Sequence, residues 1–198
     1  MGTLLNRRRY MGGGGEEPLP QGAVRVEYIE STGTQYINTG IKANESTYLK
    51  ATISNYFSST SNGKPAFGWY TYRATNNFYL TIARSYLTLV ASDKSINMGS
   101  AGIYSPKSTI EISSGIIKIG GSTFNYEPAA FVSNDIYLFG IQNARTPCRF
   151  GDVYIDNGVD IIDYIPCRIG QDGYMYDKVS GLFVGSASAD AFVPGPDI

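Results

Sequence analysis

Asp152, Asp156, Asp160 and Asp163 follow one another at intervals of three or four residues around an Asn157-Gly158 step. Carboxylates grouped in this way raise the question of a calcium site. Calcium takes roughly six to eight oxygens from a preformed loop, and no EF-hand spacing is present. On a hairpin these acids project from different places, so solvated turn acids are expected and no metal or other cofactor is assigned. Catalysis finds little else to use. The chain has no histidine, which removes the commonest general base and every triad built on one. A glycosidase needs only two acids flanking the scissile bond, which on a strand would stand two residues apart on one face. No Glu-x-Asp arrangement occurs: Glu27 and Glu30 fall on opposite faces, and Glu111 stands alone among apolar neighbours. Cys148 and Cys167 each sit in a Pro-Cys-Arg context, but without histidine neither reads as a protease nucleophile. Two cysteines are also too few for a structural zinc set. No catalytic residue is assigned, and the expectation is that the protein is not an enzyme.

Binding chemistry is better represented. In "FGWYTYRATNNFY", residues 67–79, aromatic rings can stack on the apolar faces of sugars while amides reach the hydroxyls. Alternation places Phe67 and Trp69 toward a core. Tyr70, Tyr72, Asn76 and Asn77 are left as the candidate glycan-binding set. "STGTQYINTG", residues 31–40, is polar and Gly-punctuated. Its simpler reading is a turn and a short strand, with Gln35 and Asn38 satisfying backbone groups.

A third constellation opens the chain: "LLNRRRYMGGGGEEPLP", residues 4–20, which cannot build a core of its own. Leu4, Leu5, Tyr10 and Met11 offer apolar anchors, and Arg7, Arg8 and Arg9 offer charge-assisted hydrogen bonds to carboxylates. Glycines 12–15 let the backbone lie close to a neighbouring surface but are costly to order. Residues 1–20 therefore read as an extended arm that binds a partner protein, the alternative being a disordered tail or one resting on its own sandwich. Three arginines without aromatic interleaving make a poor nucleic-acid arm.

The elements that must position these groups are strands. Period-two patterns recur from Gln21 onward, and no amphipathic stretch is long enough for a packed helix. Val24, Val26 and Tyr28 alternate with polar residues, as do Leu49, Ala51 and Ile53. Phe78, Leu80 and Ile82 form a set, followed by Leu87 and Leu89, Ile110 and Ile112, and Ile117 and Ile119. Each set predicts a strand with one buried side. Asn157-Gly158 and Gly120-Gly121 predict two-residue hairpins of type I′, and Ser113-Ser114-Gly115 closes a third. About a dozen strands in two antiparallel sheets packed face to face are expected, as one domain over residues 21–198. Sixteen basic and seventeen acidic residues give a net charge of −1, which offers no general attraction to nucleic acid or anionic membrane. No apolar run approaches the roughly 20 residues that span a bilayer. The start lacks the apolar stretch of a secretory signal. The two cysteines are expected as buried, reduced thiols, which suits synthesis in a cytoplasm.

"VEYIESTGTQYINTGIK", residues 26–42, resembles the opening of a concanavalin A-like, laminin-G-like β-sandwich family of gut-bacterial phages and prophages. "DYIPCRIGQDGYMYDKVSGLFV", residues 163–184, is similar to the closing strands of that family. "LLNRRRYMGGG" resembles a leader found on such proteins in phages of Bacteroides-type hosts. "GSASADAFVPGPDI" departs from the family pattern, where a shorter Gly-rich turn is usual. The resemblance implies a jelly-roll sandwich and a virion structural role, as a head fibre or capsid decoration. The implied location is the outer surface of the particle, after synthesis in the host cytoplasm. The implied partners are a major capsid protein or a fibre or tail protein, further copies of the chain, and a host or mucus glycan. A glycan-binding adhesion module is the alternative, since this kind of fold hosts lectins as well as structural units.

Overall fold

The computed structural model describes residues 19–54, 64–69, 78–82, 87–91, 94–98, 108–126, 134–141 and 144–198. Among them are nineteen strands and no helix, and every strand pairing is antiparallel.

The larger sheet holds β1 (Ala23–Arg25), β2 (Ile29–Ser31), β4 (Tyr48–Ser54), β9 (Ser108–Ser113), β10 (Ile116–Ile119) and β11 (Ser122–Asn125). It continues with β15 (Cys148–Asp156), β16 (Ile161–Ile169), β17 (Asp172–Asp177), β18 (Leu182–Val184) and β19 (Val193–Pro194). The smaller sheet runs in the order β3 (Ile37–Lys42), β12 (Asp135–Leu138), β5 (Lys64–Trp69), β6 (Phe78–Ile82), β7 (Leu87–Ala91) and β8 (Lys94–Asn97). A small hairpin, β13 (Gly140–Ile141) with β14 (Ala144–Arg145), follows β12.

Buried side chains of both sheets join in one cluster, with Leu49, Ala51, Ile110, Ile117 and Phe150 from the larger and Ile37, Phe78, Leu80, Leu89 and Leu138 from the smaller. The alternation of the sequence is thus spent on a shared interior, giving a sandwich-like all-β architecture. The backbone of β5 is described but not its side chains, so the core placement expected of Phe67 and Trp69 lies outside the described residues, as do residues 1–18 of the arm.

Two expectations need correction. The first is the continuous strand through Val24, Val26 and Tyr28. β1 ends at Arg25, Val26 bridges to Asp197, and β2 starts at Ile29. Val26 and Ile29 are both fully buried, and two inward side chains three residues apart require the chain to bend between them. Tyr28 is thereby turned away from the core and lies against Gly195. The bend has a purpose in the sheet. β15 uses Val153–Asp156 to pair with β16 but Cys148–Phe150 to pair with β2, while β16 gives Cys167–Ile169 to β1. The first two strands occupy the space where β15 and β16 part.

The second correction is the Asn157-Gly158 turn. Gly158 has positive φ (84°) but Asn157 does not, and the pair Asp156↔Ile161 encloses four residues rather than two. The Asn157 side chain organises this loop instead: its Oδ1 accepts from the N–H groups of Val159 and Asp160, and its Nδ2 donates to the Lys42 carbonyl. Gly120 and Gly121, at φ 55° and 80°, do form the expected tight turn between Ile119 and Ser122. The hairpin through Ser114 and Gly115 is also present.

The segment after β18, where the family pattern is departed from, is built into the sheet. β19 pairs with β2, Phe192 is buried in the common core, and the Gly173 N–H donates to the Phe192 carbonyl.

Candidate binding surface

Alternation along β3 and β12 sends Ile37, Ile41, Ile136 and Leu138 inward and leaves Tyr36, Asn38, Asp135 and Tyr137 on the outer face of the smaller sheet. Tyr137 stands directly opposite Asn38 on β3 and opposite Gly68 on β5. Continued alternation would point Phe139 outward beside Tyr137. Phe139 instead adopts φ 64° and is fully buried, with its ring centroid 4.7 Å from that of Phe150 and 4.6 Å from that of Phe192. A bulky residue in the left-handed region is costly, on the order of 1–3 kcal/mol. Burying the ring offsets this by a similar amount, about 1.5–3 kcal/mol.

The consequence is positional. The chain leaves the sheet at Gly140, where a Cβ would collide with the Ala144 carbonyl oxygen, and returns through the β13–β14 hairpin. The return places Arg145 on the outer face. Its guanidinium lies 3.6 Å from the centre of the Tyr36 ring and 5.9 Å from that of Tyr137. Its Nη1 donates to the carbonyl oxygens of Ile141 and Ala144. The two tyrosine rings stand 6.2 Å apart and tilted by 35°.

Asn38 donates to one carboxylate oxygen of Asp135 (3.0 Å) and accepts from the Gly40 N–H. Burial, and then the Asp135 carboxylate, push the Tyr137 phenol above its ordinary pKa. The surface therefore combines two aromatic rings, a guanidinium held in place and a carboxylate. Gln35, next to it, has a different role. It is buried and bonds Ser31, Thr32 and the Ala191 carbonyl, as the structural reading expects of this residue.

The outer face of the larger sheet has another character, because several of its charges are paired within the chain. Arg149 meets Glu30 at 2.8 Å with its guanidinium over Tyr28, and Arg25 grips both oxygens of Asp152. Lys50 pairs with Glu111 and Lys178 with Asp163. At the sheet's end Arg168 forms a two-pronged pair with Asp197. The aspartate series around residue 157 is dispersed among these contacts. Asp152 and Asp163 are ion-paired, while Asp156 accepts from the Gly158 N–H and the Tyr154 hydroxyl. Among the described residues no three or more His, Cys, Asp or Glu side chains converge on a point that could hold a metal ion.

Cys148 and Cys167 are free and buried. Cys148 belongs to the core between the sheets. On β16 the alternate residues Ile162 and Tyr164 face that core, so Cys167 faces the other way, opposite Arg25 and Tyr174. The sheet separates the two sulfurs, which rules out a disulfide in this fold. Burial pushes both thiols up, Cys167 to about 11, so neither is poised as a nucleophile.

The predicted partner-binding residues Leu4, Leu5, Arg7, Arg8, Arg9, Tyr10 and Met11 lie outside the described residues. So do the predicted glycan-binding residues Tyr70, Tyr72, Asn76 and Asn77, in the stretch joining β5 to β6. The sequence reading missed Tyr36, Tyr137 and Arg145 as a set. Its only signal was the outward alternation of Tyr36 and Tyr137, since the arrival of Arg145 depends on the turn at Phe139. Compared with protein-family models and with curated proteins, the sequence matches none.

Proposed function

We propose that this chain is a phage virion structural protein. In this reading it is a concanavalin A-like, laminin-G-like jelly-roll sandwich displayed on the outer surface of the particle as a head fibre or capsid decoration. Residues 1–20 anchor it to a capsid or fibre protein, and it has no catalytic role.

The observation that carries this reading is that the two stretches resembling the phage family meet in space. β2, in the first stretch, and β16 and β17, in the second, belong to one sheet. The Val26 N–H donates to the Pro166 carbonyl, and the Ile29 side chain packs against Gly173. The resemblance thus falls on segments that depend on each other in the fold. The outer face of the larger sheet suits a displayed module: four of its carboxylates are engaged by Arg25, Lys50, Arg149 and Lys178 rather than gathered around a reaction centre. Deleting residues 1–20 tests the reading. The remaining domain should stay soluble and melt cooperatively, and particles assembled with it should lack its density in cryo-electron maps. Arm-deleted protein at full occupancy on the particle would refute the tether.

A further inference from the structure

The geometry points to a saccharide-binding site on the outer face of the smaller sheet, formed by Tyr137, Tyr36, Asn38 and Asp135 and held in shape by Arg145, with uncharged pyranose glycans as its ligands. It stands independently of where the protein is located.

A pyranose ring has one face of C–H groups and an edge of hydroxyls. Tyr137 supplies a half-buried aromatic surface, and across the sheet its neighbour is Gly68, which has no side chain to project beside it. Asp135 gives one oxygen to Asn38, and among the described residues no donor reaches its other oxygen, so that oxygen can accept from a sugar hydroxyl. Among the described residues neither tyrosine hydroxyl has a hydrogen-bond partner, which leaves two more groups able to donate or accept. Arg145 is already committed, its face to Tyr36 and its Nη1 to two backbone carbonyls. Its role is to fix the Tyr36 ring rather than to capture an anion, and Asp135 would repel a sugar carboxylate. These two facts favour a neutral ligand. The turn at Phe139, held by its buried ring, leads into the hairpin that brings Arg145 to this face.

The test is affinity electrophoresis of the full chain through gels containing mannan, xylan, mixed-linkage β-glucan or neutral mucin O-glycans, with polygalacturonate as the charged comparison. Retardation by at least one neutral gel, unchanged by raising salt, is the expected result. Tyr137→Ala should weaken it about tenfold, the factor equivalent to about 1.4 kcal/mol, with the melting temperature unchanged. Tyr137→Phe should retain most of the binding and Asp135→Ala should lose most of it. Arg145→Ala should weaken binding and also change the near-UV signal of the tyrosines. Retardation by polygalacturonate alone, lost at high salt, would overturn the proposal, as would binding by none of the neutral gels. Binding unaffected by Tyr137→Ala but abolished by Tyr70→Ala with Tyr72→Ala would move the site elsewhere.

Discussion

Replacing Asp177 by alanine should be among the most damaging single polar changes in the larger sheet. Asp177 ends β17 and is 5% exposed. Its Oδ1 accepts from the Asp163 N–H at 3.1 Å and the Val179 N–H at 3.2 Å. Its Oδ2 accepts from the Ser180 N–H at 3.2 Å and the Ser180 hydroxyl at 2.6 Å. One carboxylate thus holds the turn to β18 and ties it to β16. A hydrogen bond to a charged group contributes about 1.5–3 kcal/mol net. Val179 and Ser180 are exposed and can turn to water once the carboxylate is gone. The one bond that cannot be replaced is that from the Asp163 N–H, giving a loss of about 1.5–3 kcal/mol. For a domain of this size each kcal/mol moves Tm by roughly 2–4 °C, so the expected drop is about 3–12 °C. Asp177→Asn keeps one acceptor oxygen and should lose about half as much. Urea titration with an unchanged m-value would confirm that stability alone has shifted. An alanine variant melting within about 2 °C of the parent would refute the reasoning, because it would mean that solvent satisfies all these donors equally well.

Other expectations follow from the same contacts. Phe192→Ala empties a buried site packed on Phe139 and should cost about 3–5 kcal/mol in urea unfolding; a loss below about 1 kcal/mol would show that the last segment is only loosely attached. Burial raises the Tyr126 and Tyr164 phenols to about 12 and the Cys167 thiol to about 11. The fold therefore favours the neutral forms, and stability should be full below pH 9 and fall as pH rises through 9 to 12. Equal urea midpoints at neutral and strongly alkaline pH would contradict that sign. A chelator should leave Tm unchanged, since a bound calcium at 100-fold over its Kd would add about 2.7 kcal/mol, and a clear drop would reopen the Asp152–Asp163 cluster as a metal site.

The sequence made the strands legible where one rule sufficed. Leu49, Ala51 and Ile53, or Ile117 and Ile119, sit inward because alternation and burial agree. The Gly120-Gly121 turn was legible for a similar reason, since two adjacent glycines leave few alternatives. Reading failed where a distant partner decided the local conformation. Asn157 carries the usual hairpin residue, but its side chain is recruited by the Lys42 carbonyl and its own loop, and the turn widens. Tyr28 continues a period-two pattern and still turns outward, because Val26 and Ile29 are both required in the core. The Tyr36–Tyr137–Arg145 surface was hidden for the strongest version of this reason. It depends on a positive φ at a phenylalanine, which no propensity anticipates, stabilised by Phe150 and Phe192 far along the chain.

The pairing of β2 with β19 governs the order in which the molecule can be assembled. β2 is made early, but among the described residues one of its edges is covered by Val193 and Pro194 alone, and Val26 waits for Asp197. During synthesis a ribosome therefore releases an uncovered strand edge next to Ile29, and it stays uncovered until nearly every other strand has been made. Contacts this distant in sequence slow folding, because a long loop must close before any contact energy is gained. An open edge is meanwhile a template for a neighbouring nascent chain. Closure should be the late, rate-limiting event, and its success should depend on how crowded the growing chains are. Variants that loosen residues 192–197 would then reveal themselves first as lost yield during expression, before any purified protein shows a lower melting temperature.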